Sequence, residues 1–325
     1  MQVTPNVRIV PVPEEEPMRP QQTNIYIVGQ GEVMSIDSGE AIDKFKWMLR
    51  GYLAAIEKSE IAIAGITHHH WDHSGNLKEL HEVMKANVAV PENGVKLLKG
   101  RLPEAGVETL TDGQTITLDK AVRLQVIESP GHSVDSICYY LEDEGVLFTG
   151  DTLLGVGTTV IGDLASYRAS LQRLVELPNL KVLCPGHGPL VHDARERLQF
   201  YIDHRNQREE QIVEILQRGE PVTSWEIMDE MYTDIDRRLR RAADGNVRTH
   251  LAQLKQEGRV RMTPGKRRPK NEERLKRAAE KMREERKLVR EGEKLAKRHR
   301  SQASGRQENP PTEQWSKMPK FELRD

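Results

Sequence analysis

The chain has 325 residues, a formal net charge of −1, 37% apolar residues and only 5% aromatic ones. That length fits two domain-sized units with extensions, and with no run of eighteen apolar residues the sequence offers no membrane-spanning helix. The first 22 residues hold several prolines and Glu14-Glu15-Glu16 without the apolar stretch of a secretory signal, and read as an N-terminal extension of a cytoplasmic protein.

In chain order, residues 41–57 come first, with Ile42, Phe45, Leu49, Leu53 and Ile56 on one face, the spacing of a helix laid on a sheet. Residues 61–66, Ile-Ala-Ile-Ala-Gly-Ile, read as a buried strand. The strand runs directly into Thr67-His68-His69-His70-Trp71-Asp72-His73, and Ser74-Gly75-Asn76 then turns into another helix. Imidazole suits zinc and other borderline metals, while a carboxylate adds a harder oxygen ligand. His68, His70, Asp72 and His73 are therefore candidate ligands. A compact loop does not easily wrap all four around one ion, so the run points to two metals side by side. A purification tag would sit at a terminus in polar sequence, not behind an apolar strand. His69 and Trp71 fall between the ligand positions and are expected to point away, into packing or support.

Three further candidates share one placement. Residues 122–129 read as a strand followed by Pro130-Gly131-His132, residues 145–149 as a strand running into Gly150-Asp151, and residues 181–184 as a strand running into Pro185-Gly186-His187-Gly188. Glycine beside each side chain permits the backbone angles that aim it into a shared site. Cys138 and Cys184 lie in strand-like segments and read as small buried residues of a reducing compartment.

These motifs, with Asp37 after a strand at 33–36, resemble the ordered set of the metallo-β-lactamase superfamily over about residues 6–205. The resemblance implies an α/β fold, the αββα sandwich of two mixed sheets with helices outside. It implies one metal held by His68, His70 and His132, a second by Asp72, His73 and His187, and Asp151 bridging the two. Asp37 would tie the metal loop by hydrogen bonds. Two zinc ions, or iron or manganese, would hold a hydroxide between them. Asp72 would be both ligand and catalytic residue, orienting that hydroxide and taking its proton. Thr158 and Thr159, in the segment 155–162 after Asp151, are candidate substrate contacts.

Finer features narrow the resemblance. His70 stands where flavo-diiron relatives carry glutamate, and 36 positions (187 − 151) separate Asp151 from His187, too few for the domain inserted in the nucleic-acid-processing branch. The segments 150–160 and 185–190 and the run Tyr201-Ile202-Asp203-His204-Arg205-Asn206 resemble the β-lactamase-like protein 2 family. That likeness implies either hydrolysis of an ester or thioester, as in fungal relatives that release polyketides from a carrier protein, or cleavage of single-stranded RNA, as in animal members. RNA would call for aromatic stacking platforms. The aromatic-poor composition tilts the reading toward a small-molecule or acyl thioester substrate. The complete ligand set argues against a non-enzymatic scaffold.

A catalytic domain at 23–205 is thus expected, with a winged-helix-like domain at 206–264 and a charged helical or disordered tail at 265–325. Residues 208–218 read as a helix closed by Gly219, and Thr223 or Ser224 caps the next. Residues 246–257 carry Val247, Leu251 and Leu254 at helical spacing, then Gly258 and a short strand at 259–262. Arg248 and Lys255 would face RNA if this unit binds it; otherwise the unit packs on the sandwich and walls the cleft. Residues 261–325 hold 21 Lys/Arg against 11 Asp/Glu, a net of +10, which leaves −11 for residues 1–260. Glutamate interleaves with lysine and arginine over 271–300, as on a solvated helix. Leu275, Met282 and Val289 form a weak heptad seam through which the tail could self-associate.

Overall fold

Short apolar runs in which alternate residues share a face become strands, and the computed structural model sets twelve of them in two sheets. The structure describes residues 1–12, 22–55, 60–118, 122–265 and 320–323. Strands β1 (Gln2–Thr4), β2 (Val7–Val12), β3 (Thr23–Val28), β4 (Glu32–Ile36), β5 (Glu60–Gly65), β6 (Asn87–Pro91) and β7 (Val107–Leu110) form one sheet in chain order. It is antiparallel from β1 to β4 and parallel from β4 to β7. Strands β8 (Thr115–Leu118), β9 (Val122–Glu128), β10 (Ile137–Leu141), β11 (Val146–Gly150) and β12 (Val182–Pro185) form the other, antiparallel except for the parallel β11–β12 pair. Helices α1 (Asp43–Ala55), α2 (Trp71–Ser74) and α3 (Leu77–Met84) lie within the first half of the chain, and α4 (Leu164–Val175) and α5 (Ala194–Leu216) follow β11 and β12.

Alternation decides what each strand face meets. Tyr26 and Val28 of β3 join Met34 and Ile36 in a core that also takes Tyr139 and Phe148 of the second sheet. Ile25 and Ile27, one position out of phase, instead pack with Phe45 and Leu49 of α1 and Leu77 and Leu80 of α3. In the second sheet Cys138, Tyr140 and Leu147 turn outward to Tyr167 and Leu171 of α4 and Leu198 of α5. Helix, sheet, sheet, helix is the αββα sandwich. Sheets covered on both faces need strands that are apolar on both, which is why β3, β10 and β11 are buried throughout.

Several expectations shift. Residues 1–12 fall in the expected extension, although the resemblance starts near residue 6, and they supply β1 and β2. Prolines obscured that pattern, yet Pro11 lies beyond the stretch of β2 paired with β1, so its missing N–H leaves no ladder bond unmade. The helix expected at 41–57 is α1; Ile42 precedes it and is 44% exposed rather than packed, and Ile56 lies outside the described residues. The helix expected from residue 208 begins at Ala194, so the boundary expected at 205/206 falls inside α5, and the two compact units divide between Gln211 and Ile212.

The second unit has its own core, in which Ile212, Leu216, Trp225, Val247, Leu251 and Phe321 pack together. Helix α6 (Ser224–Met231) starts at a capping box: the Glu226 N–H donates to Thr223 Oγ1 and Thr223 N donates to the Glu226 carboxylate. Helix α7 (Arg240–Gln256) begins six positions earlier than expected. Strands β13 (Val222–Thr223) and β14 (Val260–Thr263) flank β15 (Lys320–Leu323). Strand β15 falls in the expected tail; its Phe321 is buried, an apolar contact that the surrounding charge hid. The charged stretch 271–300, with Leu275, Met282 and Val289, lies outside the described residues. Among the described residues no helix is long and apolar enough to cross a membrane.

Candidate metal centre

Strands β4 and β5 run parallel, and β9, β11 and β12 share one direction, so the chain repeatedly reaches a sheet edge at a strand's C-terminal end. Just past those ends stand Asp37, the His68–His73 run, His132, Asp151 and His187. The folded chain gathers them into two groups. His68, His70, His132 and Asp151 offer ligand atoms all within 4.8 Å of one another, as do Asp72, His73, Asp151 and His187. Asp151 belongs to both. Its Oδ2 lies 3.7 Å from His132 Nε2, and its Oδ1 lies 3.4 Å from both His73 Nε2 and His187 Nε2.

The outer atoms of the rings fix which nitrogen faces inward. His73 donates from Nδ1 to Asp37 Oδ2 at 2.8 Å, and His132 donates from Nδ1 to the Val160 carbonyl at 2.7 Å. Thr67 gives its hydroxyl proton to Asp37 at 3.0 Å, so its Oγ1 can accept from His68 Nδ1 at 3.1 Å. A neutral imidazole that donates through Nδ1 keeps its lone pair on Nε2. The lone-pair nitrogens then crowd together. His68 Nε2 stands 2.9 Å and His132 Nε2 3.1 Å from His70 Nδ1, and His73 Nε2 stands 3.3 Å from His187 Nε2. Converging lone pairs repel unless a cation or proton lies between them. This donor set fits a divalent metal in each group.

Burial, helped by His73 and His132, pushes His68 well below the usual histidine range, and burial with His132 lowers His70 to about 4. Burial would also lower His187, but Asp151 beside it outweighs this and raises it to about 10. Burial alone would raise the Asp72 and Asp151 carboxyls; His73 and His187 instead hold both well below the usual carboxylate range. His68 and His70 thus stay neutral donors while the Asp72 and Asp151 carboxyls stay ionised, a donor set suited to a cation.

Packing around the centre is tight. A Cβ on Gly186 would come within 2.6 Å of His73 Cε1 and 2.8 Å of Asp151 Oδ1. His69 turns aside, its Nδ1 2.8 Å from Asp135 Oδ1 and 3.1 Å from Ser133 Oγ. Trp71 is 60% exposed, with the Arg101 guanidinium 4.3 Å over its ring. Thr159 is buried with its Oγ1 3.0 Å from His132 Nδ1, and Thr158 is half-buried.

Residues not foreseen from the sequence support these turns. Asn24 donates from Nδ2 to the Pro185 and Gly188 carbonyls, at 2.9 and 2.8 Å, and Tyr26 donates to the Pro185 carbonyl at 2.8 Å, so β3 grips both sides of His187. Thr67 also gives its backbone N–H to Asp37 Oδ1 at 2.8 Å. The available signal was polar Thr23-Asn24 opening an otherwise apolar strand. Burial drives the Cys138 thiol up to about 11, which marks it as packing rather than chemistry.

Comparison with known proteins agrees with this geometry. The family described as Metallo-beta-lactamase superfamily matches residues 18–187, and the Beta-lactamase associated winged helix domain matches residues 223–268. The chain is 34% identical over 249 residues to a beta-lactamase-like protein 2 homolog of Caenorhabditis elegans, covering 75% of this chain and 82% of that one. It is 35% identical over 203 residues to an atrochrysone carboxyl ACP thioesterase of Aspergillus fumigatus, covering 62% and 61%. Among solved structures, a metallo-beta-lactamase family protein of Thermus thermophilus superposes with a TM-score of 0.66 at 26% identity, over 81% of this chain and 97% of that one.

Proposed function

This chain belongs to the metallo-beta-lactamase superfamily and is a hydrolase of that fold, and from that premise we infer that it cleaves an ester or thioester of an acyl substrate with two metal ions. The observation that carries the reading is the pair of four-ligand groups sharing Asp151. We assign His68, His70 and His132 to one ion, Asp72, His73 and His187 to the other, and Asp151 to both. Nitrogen-rich donors favour zinc, while iron or manganese suit the same atoms according to supply. Bound there, the metal pair polarises the scissile carbonyl and lowers the pKa of water toward neutrality.

The protein's own groups do the rest. Asp72, buried and held as a carboxylate, orients the attacking water and takes its proton. Asp37 and Val160 fix the rings of His73 and His132 from behind. The preference for an acyl carbonyl over RNA rests on charge. The ligand-bearing segments 67–76, 130–136, 151–162 and 185–190 contain no lysine or arginine, whereas phosphate contacts by such residues dominate nucleic-acid affinity. Their exposed side chains include Trp71, Val134, Val156 and Val160, all apolar. The thioesterase name of the Aspergillus fumigatus relative points the same way. The buried free thiols Cys138 and Cys184 support a cytoplasmic setting.

The test is a zinc-reconstituted assay of the full chain against acyl thioesters, esters and a labelled single-stranded RNA. Thioester or ester turnover that disappears in the double variant His70→Ala, Asp72→Ala is expected. Turnover of RNA alone would replace the acyl reading with the ribonuclease one, and activity surviving the double variant would remove the metal centre from the chemistry.

A further inference from the structure

Among the described residues Arg205 is the largest fully buried side chain, 1% exposed, and no carboxylate lies within salt-bridge distance of it. Burying a guanidinium without an ionic partner is costly and weak support for a stabilising role. Its contacts are specific instead. Nη2 donates to the Thr159 carbonyl at 2.8 Å, and the guanidinium carbon stands 5.4 Å over the Tyr167 ring.

Arg205 is the last rung of a ladder. Arg197, Tyr201 and Arg205 recur at i, i+4 and i+8 along α5, one face of a helix. Arg197 donates to the Leu154 and Gly157 carbonyls at 3.1 and 2.8 Å. Tyr201 accepts from the Leu154 N–H at 2.9 Å and donates to the Gly157 carbonyl at 3.1 Å. Tyr167 of α4 holds the start of the same loop through the Thr152 carbonyl at 2.6 Å. The loop has no regular structure of its own, and Val156 and Val160 are exposed. Side chains therefore supply the partners its backbone lacks. At the far end two successive carbonyls divide the work: Thr159 O is held by Arg205, and Val160 O accepts from His132 Nδ1.

Resting on the metal assignment above, we propose that Arg205 is a positioning residue for His132, acting through the Thr159–Val160 backbone to set the ring that completes the His68–His70–His132 group. Arg197 and Tyr201 anchor the nearer part of the loop, and Arg205 anchors the part that reaches the ligand. Partners behind metal-ligating histidines carry about 10–100-fold in metal affinity, and that is the scale expected here.

The experiment titrates Zn²⁺ on the full chain against a chromophoric chelator and resolves two affinities. In Arg205→Met one affinity falls about 10–100-fold while the other stays within about threefold. The double variant Arg205→Met, His132→Ala binds no more weakly than His132→Ala alone, because the effect passes through that ring. Arg205→Lys keeps the buried cation but loses the planar fork, and a smaller drop at the same site is expected; it serves if the methionine variant fails to fold. Unchanged affinities in the folded variant, or a loss that adds fully to His132→Ala, overturn the proposal while leaving the metal centre intact. A wild-type chain that takes up fewer than two ions overturns the metal assignment and this proposal with it.

Discussion

His73 donates its Nδ1–H to Asp37 Oδ2 across 2.8 Å, and Asp37 reaches it from a left-handed backbone with φ of 65°. Asp37 also accepts from the Thr67 N–H and hydroxyl, so one buried carboxylate ties β4 to the start of the ligand run. Asp37→Ala would leave the buried Thr67 N–H and His73 Nδ1–H without this acceptor. A loss of about 1.5–3 kcal/mol in urea unfolding is expected, since a hydrogen bond to a charged group carries about that much. The same variant is expected to bind the His73-side ion about 10–100-fold more weakly. Wild-type zinc affinity in a folded Asp37→Ala chain would count against its supporting role.

Asp151 is the residue common to both ligand groups. Asp151→Ala should therefore drop bound zinc below two ions per chain and weaken the one that stays. His132→Ala, which touches one group only, should leave the other ion close to wild-type affinity. Elemental analysis after dialysis at limiting zinc separates the two outcomes. Equal losses in both variants would contradict the shared position of Asp151.

Gly186 is required for space rather than for chemistry. Gly186→Ala would place a methyl within 2.6 Å of His73 Cε1 and 2.8 Å of Asp151 Oδ1. His73 is buried, and Asp151, though partly exposed, is held between the two ligand groups, so neither can retreat without leaving the site. Zinc binding and turnover should fall together by at least about tenfold, as for other overpacked positions in which side chains are forced aside. A variant with full metal content and unaltered turnover would show that the cradle is looser than these distances state.

His204 offers a pH effect independent of the metals. Burial, reinforced by Arg205 and Arg208, lowers it to about 4, while its Nε2 accepts from Arg208 Nε at 3.2 Å. Its folded pKa lies below the unfolded value of about 6.5, so the unfolded chain binds the proton more readily. The stability tied to neutral His204 is present above about pH 6.5 and is lost as pH falls toward about 4. His204→Phe should flatten the fall in Tm between about pH 7 and pH 5 relative to wild type. Parallel Tm profiles for the two chains would sink the assignment.

Much of the centre is legible along the chain because each part is local. A strand that stops at glycine and presents His132, Asp151 or His187 is written in four or five consecutive residues. The sheets are legible for the same reason: alternating apolar residues mark β9, and continuous ones mark β5 and β11. The sequence does not show where a pattern is interrupted by proline, as in β2, or surrounded by charge, as in β15.

By itself, the sequence determined the strand-end clusters of histidine and aspartate, since strand pattern and ligand chemistry are properties of neighbouring residues, while the sandwich followed from the family resemblance that those clusters carry. Only the tertiary structure decided which atoms meet. His70 faces His68 and His132 through Nδ1, whereas His73 and His132 turn Nε2 inward because the acceptors behind them, Asp37 and the Val160 carbonyl, come from other parts of the chain, and His68 does so because Asp37 also orients the neighbouring Thr67 hydroxyl. Arg205 and Thr159 lie 46 positions apart, and nothing in either residue's neighbourhood announces the other. Such contacts are set by how α5 lies along the second sheet, which is a consequence of packing the whole unit and not of any one segment.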